Sequence, residues 1–166
     1  VSLYAATKKA NELMAQSYAS LYSIPTTGLR FFTVYGPAGR PDMAPWLFTE
    51  AIFSDKAIRV FNNGDMYRDF TYIDDIVDGV EQVMQEAPPN NGSHRLLNIG
   101  RGSPVDLMDF IGAIEGVVGK KANKIFVDMQ PGDVPRTFAS TERLRSLTGY
   151  HARVGVNEGA KKFVNW

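Results

Sequence analysis

A long helix that runs directly into a β-rich segment is the feature of this sequence that most limits its fold. Residues 2–23 place small and apolar side chains at helical spacing, and Ile24-Pro25 ends that pattern. Residues 27–35 are rich in β-branched and aromatic side chains, and Gly36-Pro37 stops the run. We interpret this run as one member of a parallel sheet, and the alternation of strands and helices along the chain predicts an α/β fold.

Tyr4 and Lys8 lie four residues apart at the start of this helix, so their side chains share one helix face. An ammonium group beside a phenol stabilises the phenolate, and the pair can therefore transfer protons. The spacing by itself is a weak indication, because seven tyrosines and eight lysines in 166 residues give such a pair by chance in roughly a third of chains. The alternative is that both residues are surface groups.

The place of this pair in the chain leads to an expectation about the whole protein. A helix that carries a polar pair on its first turn follows a strand in a fold of this kind, and no strand precedes residue 2. We therefore expect the chain to be the C-terminal part of a longer protein. The alternative is a mature protein that begins at residue 1.

The composition is that of an ordinary globular domain. The 166 residues are 44% hydrophobic and 22% charged, which is enough for one domain with a sizeable core. The formal net charge is zero, which argues against a general binder of nucleic acid or of acidic membranes. No stretch approaches the roughly 18 uninterrupted apolar residues of a membrane-spanning helix.

The chain has no cysteine, which excludes disulfides, thiol catalysis and thiolate metal sites within it. This absence fits a cytoplasmic protein. His94 and His151 lie far apart in polar, turn-like contexts, and we expect both to be surface residues rather than ligands. The sequence therefore predicts no metal site.

The remaining elements alternate unevenly. We predict strands at residues 57–61, 69–73, 96–99 and 125–129, helices at residues 46–54, 74–84 and 107–118, and a short helix that ends at Gly149. The expected N-caps are Asp106 for the helix at 107–118, Ser140 for the short helix, and Asn157 for a last helix that follows it. Some elements complete a parallel sheet in this interpretation, and others form a small α/β cap.

Three arginines lie near the ends of predicted strands: Arg40, Arg59 and Arg68. The planar fork of arginine suits a carboxylate or a phosphate, so the group suggests an anionic ligand. Thr33 at a strand end and Asp133 in a Pro/Gly loop are further candidates, because ligands of parallel sheets bind beyond the carboxyl ends of strands. The alternative is that the arginines are exposed residues without a role.

Four segments in order resemble the extended short-chain dehydrogenase/reductases that act on nucleotide sugars. They are SLYAATK at 2–8, LRFFTVYGP at 29–37, RDFTYIDD at 68–75 and PGDVP at 131–135. Within the NAD-dependent epimerase/dehydratase family, the chain is most similar to the UDP-glucuronate 4-epimerases. Four ordered motifs are far more specific than the Tyr4/Lys8 pair alone.

This resemblance implies a fold, a cofactor and an assembly. The fold would be the C-terminal part of a Rossmann-like parallel sheet domain plus a small α/β cap that binds nucleotide sugars. Residues 1–36 would end the Rossmann domain, and residues 37–166 would form the cap, with residues 68–100 returning to the sheet. The cofactor would be NAD, and residues 2–23 would form the helix of a homodimer interface. The alternative is that this face of the helix only contacts the N-terminal half that we expect to precede the chain.

The resemblance also implies roles at the reacting end of the substrate. Tyr4 would be the base that takes the proton from the sugar 4-hydroxyl while hydride passes to NAD. Lys8 would bind the nicotinamide ribose and favour the phenolate. Phe32 would line the nicotinamide site, Thr33 would contact the substrate, and Arg40 would pair with the sugar carboxylate.

At the nucleotide end, the resemblance implies that Arg59, Val60 and Phe61 hold the uridine. Arg68 would neutralise the diphosphate, and Asp133 would accept hydrogen bonds from the ribose hydroxyls. The substrate would be UDP-glucuronate, converted to UDP-galacturonate. The alternatives are another nucleotide-sugar epimerase, a dehydratase or decarboxylase of the family, and a sensor that binds NAD(P) or a nucleotide sugar without turnover.

The chain departs from the family pattern in three ways. It contains neither the Gly-rich phosphate fingerprint nor the Ser/Thr that normally assists the tyrosine, and we expect it to be inactive alone. Close relatives usually carry an aromatic residue at the position of Ala38, so the loop around Arg40 is expected to be looser than usual.

Overall fold

The computed structural model describes residues 2–130 and 132–166. Within these residues the chain forms six α-helices that are distributed along its whole length. They are α1 (Leu3–Tyr22), α2 (Ala44–Phe53), α3 (Ile73–Met84), α4 (Leu107–Val118), α5 (Glu142–Thr148) and α6 (Val156–Val164). None of these helices has a stretch that is long and apolar enough to cross a membrane.

Eight strands alternate with the helices in the described residues. They are β1 (Thr26–Phe31), β2 (Val34–Tyr35), β3 (Ala57–Val60), β4 (Tyr67–Arg68), β5 (Thr71–Tyr72), β6 (His94–Ile99), β7 (Val105–Asp106) and β8 (Asn123–Phe126). Three strand pairs are parallel, β1 with β6, β2 with β5 and β3 with β8, and β4 pairs antiparallel with β7. The predicted α/β fold with parallel strands is confirmed.

The two longest paired strands set the frame around which the rest is arranged. β1 runs beside β6 with Thr26 opposite His94 and Phe31 opposite Ile99. Beyond the end of β1, the Phe32 N–H still donates to the carbonyl of Ile99 at 3.2 Å. The chain then continues into β2, so the pairs β1–β6 and β2–β5 meet at residues 32–33.

The core has two parts, and the larger one is aromatic. The rings of Phe70 and Phe110 stack with centroids 3.9 Å apart, and Tyr35 meets Phe110 edge-on at 5.2 Å. Such pairs contribute about 1 kcal/mol beyond the area that they bury. The smaller part is formed by the buried side chains of Ile76, Val83, Leu97, Ile99, Leu144 and Tyr150.

α1 is closed at both ends but is covered little along its length. The Ser2 hydroxyl accepts from the Ala5 N–H at 3.2 Å, and Ser23 ends the helix with a φ of 54°. Ala19 is the buried residue of this helix, and its large apolar side chains are exposed. These exposed side chains are Leu3, Tyr4, Leu13, Met14, Tyr18, Leu21 and Tyr22.

Several predicted element ends are confirmed. The Asp106 carboxylate caps α4 by accepting from the Met108 N–H at 2.7 Å, and Gly119 ends that helix with a φ of 75°. Gly149 ends α5 with the same φ. α2 begins two residues before the predicted position because Pro45 fits the first turn of a helix.

Other predictions about the elements are wrong, chiefly where tertiary hydrogen bonds interrupt a strand pattern. The run at residues 27–35 is two strands separated at residues 32–33, and residues 69–70 lie between β4 and β5 rather than in one strand. The strand predicted at 125–129 runs at 123–126. The N-caps of α5 and α6 are Thr141 and Gly155 rather than Ser140 and Asn157.

Candidate active site

The start of α1 and the ends of β1 and β2 border an open pocket of about 680 Å³. Tyr4 lines it from the helix, and Phe32 and Thr33 line it from the junction between the two strands. Arg40 lines it from the loop that follows β2. The structure thus brings four of the proposed site residues to one pocket.

Tyr4 and Lys8 lie side by side, as the helical spacing predicts. The Lys8 Nζ lies 5.5 Å from the centroid of the Tyr4 ring. The Tyr4 side chain is largely exposed, with 71% of the residue accessible. Lys8 lines a second cavity beside the first, and Tyr4 borders both cavities. A ligand that spans the two cavities would therefore pass the phenol and the ammonium.

A second tyrosine of the same pocket is built differently. Tyr35 is 3% exposed, and its hydroxyl packs so closely on Gly159 that a Cβ there would lie 2.1 Å away. Burial raises the pKa of Tyr35 above its ordinary value. Tyr35 is therefore part of the pocket wall, and Tyr4 is the tyrosine whose phenol is exposed to a ligand.

The loop after β2 is held tightly at its first residue. Gly36 has a φ of 148°, and a Cβ on it would lie 2.4 Å from the Ile73 side chain. The Gly36 carbonyl accepts from the Gly39 N–H at 3.2 Å, which closes a turn. Ala38 in this turn has a φ of 56°, a conformation that L residues rarely adopt. The loop thus has a defined path up to Arg40.

Arg40 makes a two-point ion pair with Asp42 at the edge of the pocket. Its Nε donates to Asp42 Oδ1 at 3.0 Å, and a terminal nitrogen donates to Oδ2 at 2.5 Å. The hydrogen bonds from Arg40 lower the pKa of Asp42, and the same bonds raise the pKa of Arg40. Both side chains are exposed. Asp42 thus occupies both prongs of the Arg40 fork, which is the geometry in which a guanidinium binds a carboxylate.

Arg68 and Asp133 meet although they are 65 residues apart in the sequence. A terminal nitrogen of Arg68 donates to Asp133 Oδ1 at 2.8 Å, and the Arg68 side chain is 16% exposed. The same guanidinium donates to the carbonyls of Tyr67 at 3.0 Å and Pro135 at 3.3 Å. Pro131, at the start of this predicted loop, lies outside the described residues.

Arg59 and Phe61 form a separate pair beside a cavity of about 500 Å³ between α2 and β3. The Arg59 guanidinium lies 5.3 Å from the centroid of the Phe61 ring. Val60 between them is fully buried in the core, and its carbonyl accepts from the Val127 N–H at 3.0 Å. Arg59 and Phe61 therefore offer side chains to a ligand, and Val60 does not.

Two residues around the pocket, Asp69 and Thr137, were assigned no role from the sequence. Thr137 lines the pocket, and its hydroxyl accepts from the Asp69 N–H at 3.1 Å. Asp69 is fully buried beneath it. A carboxylate at the start of a run of aromatic and β-branched residues was a signal for Asp69, because a buried charge requires partners. The sequence offered no comparable signal for Thr137.

The expectations for the histidines have different outcomes. His151 is exposed, as expected. His94 is half-buried instead, because its Nδ1 lies 2.7 Å from the Thr26 hydroxyl across the β1–β6 pair. Among residues 2–130 and 132–166, no group of three or more His, Asp or Glu residues is arranged to hold a metal ion.

Residues 1–100 match the family described as the NAD dependent epimerase/dehydratase family. The chain belongs to this family. Protein CapI of Staphylococcus aureus is 50% identical over all of the chain and 54% of that protein. A probable UDP-glucuronate 4-epimerase of Rhizobium meliloti is 47% identical over all of the chain and 53% of that protein. The chain thus spans about half the length of these relatives.

Solved structures show the same relation. The UDP-glucuronic acid 4-epimerase of Bacillus cereus, in complex with UDP-glucuronic acid and NAD, superposes with a TM-score of 0.90. It is 33% identical, and the match covers 98% of this chain and 51% of the epimerase. The fold of the described residues is therefore that of one half of a Rossmann-type epimerase.

Proposed function

We propose that the full-length protein is an NAD-dependent 4-epimerase that converts UDP-glucuronate to UDP-galacturonate. The observation that carries this proposal is the pocket where Tyr4, Thr33 and Arg40 converge. It joins a proton-transfer group to a guanidinium that can read a carboxylate. Relatives of about twice this length that are named UDP-glucuronate 4-epimerases support the choice of substrate.

The residues that would hold NAD suit it chemically. Tyr4 supplies a hydroxyl, Lys8 supplies an ammonium with three donors, and Phe32 supplies an apolar wall on the other side of the pocket. A ribose with a nicotinamide ring requires such polar and apolar contacts. When bound, NAD would accept hydride from C4 of the sugar and return it to the other face.

The chain's own residues would handle the proton and the substrate. The Tyr4 hydroxyl oxygen would take the proton of the sugar 4-hydroxyl and give it back after the sugar has turned. Lys8 would favour the phenolate that this step needs. Arg40 would exchange its Asp42 partner for the sugar carboxylate, and Thr33 would hold the sugar between them.

The UDP part of the substrate would be bound by residues outside the pocket of Tyr4. We propose that Arg68 neutralises the diphosphate, that Asp133 accepts from the ribose hydroxyls, and that Arg59 and Phe61 hold the uridine. The ion pair between Arg68 and Asp133 supports a common role for the two residues. Val60 would contribute its backbone only, because its side chain is buried.

We also infer how the chain divides. Residues 1–36 would end the Rossmann domain, and residues 37–166 would form the substrate cap, with residues 68–100 returning to the sheet. The parallel pairing of β1 with β6 and of β2 with β5 supports this division. The chain alone would be inactive, since it lacks the Gly-rich fingerprint that binds the pyrophosphate in this fold.

Product analysis of the full-length protein tests the reaction. Incubation with UDP-glucuronate should yield UDP-galacturonate, which chromatography separates from the substrate. A pentose product would instead identify a decarboxylase, and a 4-keto-6-deoxy sugar formed from a nucleotide-hexose would identify a dehydratase. Binding of UDP-glucuronate without any product would favour a sensor.

We further propose a homodimer through α1. Five large apolar side chains of this helix are exposed, namely Leu13, Met14, Tyr18, Leu21 and Tyr22. Small residues such as Ala10 and Ala15 would allow a second helix to approach closely, and a two-fold interface would pair the helix with its own copy. Light scattering tests this. A dimer that becomes monomeric in Leu13→Lys supports the interface, and a wild-type monomer at micromolar concentration contradicts it.

A further inference from the structure

The carboxylate of Asp69 is the centre of a buried hydrogen-bond network beside the pocket. Asp69 is 0% exposed. Its Oδ1 accepts from the Arg101 N–H at 2.9 Å and from the Thr71 hydroxyl at 3.3 Å. Its Oδ2 accepts from the N–H groups of Gly102 and Ala139, both at 3.0 Å. Four donors thus compensate the cost of removing this charge from water.

These donors belong to segments that are distant in the sequence. Arg101 and Gly102 follow the carboxyl end of β6, and Ala139 lies in the segment before α5. The contact at Gly100 is so close that a Cβ there would lie 2.7 Å from Ala139 and 3.3 Å from Asp69 Oδ1. The carboxylate therefore fixes the distance between the backbone at residues 100–102 and the backbone at Ala139, which are already in close contact at Gly100.

The same network reaches the wall of the pocket in two places. The Asp69 N–H donates to the hydroxyl of Thr137, which lines the pocket. Thr71, whose hydroxyl is bound to Asp69, donates its own N–H to the carbonyl of Thr33 at 2.9 Å. Thr137 is thus bonded directly to the Asp69 backbone, and Thr33 is connected to the Asp69 carboxylate through Thr71.

Asp69 also directly follows Arg68, whose guanidinium holds Asp133. The backbone of Thr137 extends this link, because its N–H donates to the carbonyl of Tyr67 at 3.1 Å. A shift of Asp69 would therefore move the Arg68–Asp133 pair relative to Thr33.

We propose that Asp69 is a positioning residue for the UDP-sugar site, an inference that rests on the proposed function. Its carboxylate touches no ligand. It sets the distance between the sugar side of the site, at Thr33 and Thr137, and the diphosphate side, at Arg68 and Asp133. An asparagine cannot replace it, because the amide NH₂ would face N–H groups that need an acceptor.

Asp75 offers a matched control for this role. It is 2% exposed, and its two carboxylate oxygens accept from the N–H groups of Arg153 at 2.8 Å and Val154 at 3.0 Å. It is therefore a second buried carboxylate held by backbone donors. Neither Arg153 nor Val154 lines the pocket of Tyr4.

The experiment compares Asp69→Asn with Asp75→Asn in the full-length protein. Both variants should lower the thermal midpoint, since each leaves buried N–H groups without an acceptor. Asp69→Asn alone should raise KM for UDP-glucuronate and the Kd of UDP, each by about tenfold. It should also lower kcat by up to about 10²-fold, because a small displacement of the bound substrate greatly reduces the rate. Wild-type constants in Asp69→Asn, or equal changes in the two variants, would overturn the proposal.

Two further readouts keep the test decisive. If Asp69→Asn does not fold, Thr71→Val can be used instead, because it preserves the shape of the side chain and removes one hydrogen-bond donor to Asp69. This variant should raise KM for UDP-glucuronate about threefold. An unchanged KM would overturn the proposal. The Kd of UDP, measured by calorimetry, separates this proposal from the proposed function. The wild-type protein could fail to turn over UDP-glucuronate while Asp69→Asn binds UDP more weakly than the wild type and Asp75→Asn binds it equally well. That result would contradict the proposed substrate and would support the positioning role of Asp69.

Discussion

The two sides of the pocket hold their residues in different ways. Tyr4 and Lys8 project from a helix with one buried residue, and their relative placement follows from helical geometry alone. Thr33, on the opposite side, is placed by hydrogen bonds between segments that are distant in the sequence. The proton-transfer pair Tyr4 and Lys8 is thus positioned by local helix geometry, whereas the placement of Thr33, which is proposed to orient the substrate, depends on the tertiary fold.

This difference predicts that the helix side tolerates substitution structurally but not catalytically. Tyr4→Phe in the full-length protein should reduce kcat by about 10² or more, because a positioned acid–base group is removed. Its thermal midpoint should stay within a degree or so of the wild type, since the phenol is exposed and its hydroxyl is not part of the core. Stopped assays with UDP-glucuronate measure the first quantity, and calorimetry measures the second.

A rate within threefold of the wild type would contradict the role of Tyr4. Tyr18→Phe is the matched control, because Tyr18 lies on the same helix and is similarly exposed. That variant should keep the rate of the wild type. A sensor without turnover would instead show ligand affinities that Tyr4→Phe leaves unchanged.

Arg40, at the edge of the pocket, is intermediate between locally and tertiarily positioned residues, because it is held by Asp42, two residues away in the sequence. Arg40→Ala should weaken the use of UDP-glucuronate, measured as kcat/KM, by about thirtyfold or about 2 kcal/mol. This is less than the loss expected for a buried pair, because the guanidinium is exposed. The substrate UDP-glucose, which lacks the carboxylate, is the control, and its kcat/KM should change little.

Equal losses on the two substrates would mean that Arg40 only supports the loop. Asp42→Asn refines the comparison, since it removes the carboxylate that occupies the fork of Arg40 in this structure. If the sugar carboxylate displaces Asp42, this variant should bind UDP-glucuronate at least as tightly as the wild type. Weaker binding would show that Asp42 is needed to hold the guanidinium in place.

The same division explains how much the sequence could predict. The helix of Tyr4 and the ends of α4 follow from local rules, and these predictions are confirmed. The interruption of the strand run at residues 32–33 does not follow from them, because both sides of the interruption look like strand. It depends on the Thr71 N–H, which meets the Thr33 carbonyl from the next strand pair.

The site residues show the same limit. Arg68 and Asp133 were each found as separate candidates, but no local pattern predicts that they form an ion pair. Asp75 lies in the first turn of α3, where a negative charge is favourable, yet its carboxylate binds the backbone of residues 153–154. Placement of a buried carboxylate depends on which donors the fold brings to it, and the sequence does not contain that geometry in any short segment.

The difference between locally and tertiarily positioned groups can also be tested through stability in acid, at the carboxylates of Glu115 and Glu12. Burial raises the pKa of Glu115, but hydrogen bonds from Lys121, Lys124 and a backbone N–H outweigh it and hold the pKa at about 2. Since the ordinary value is 4.5, the stabilisation is complete above about pH 4.5 and is lost as the pH falls toward 2. Glu115→Gln should cost about 1 kcal/mol at pH 7 and should make the loss of stability in acid less steep. Unfolding in urea at pH 7 and pH 4 measures both effects.

The smallest effect is expected at Glu12, the counterpart of Glu115 on the helix side. Hydrogen bonds from Arg30 and Lys9 hold the pKa of Glu12 at about 2 as well, although the side chains of both cations are exposed. Water and salt screen such a pair, and the ordering of long side chains offsets most of its attraction. Glu12→Gln should therefore leave the urea midpoint at pH 7 unchanged within error. A loss equal to that of Glu115→Gln would show that α1 is fastened to β1 by this pair, and that the helix side also depends on tertiary contacts.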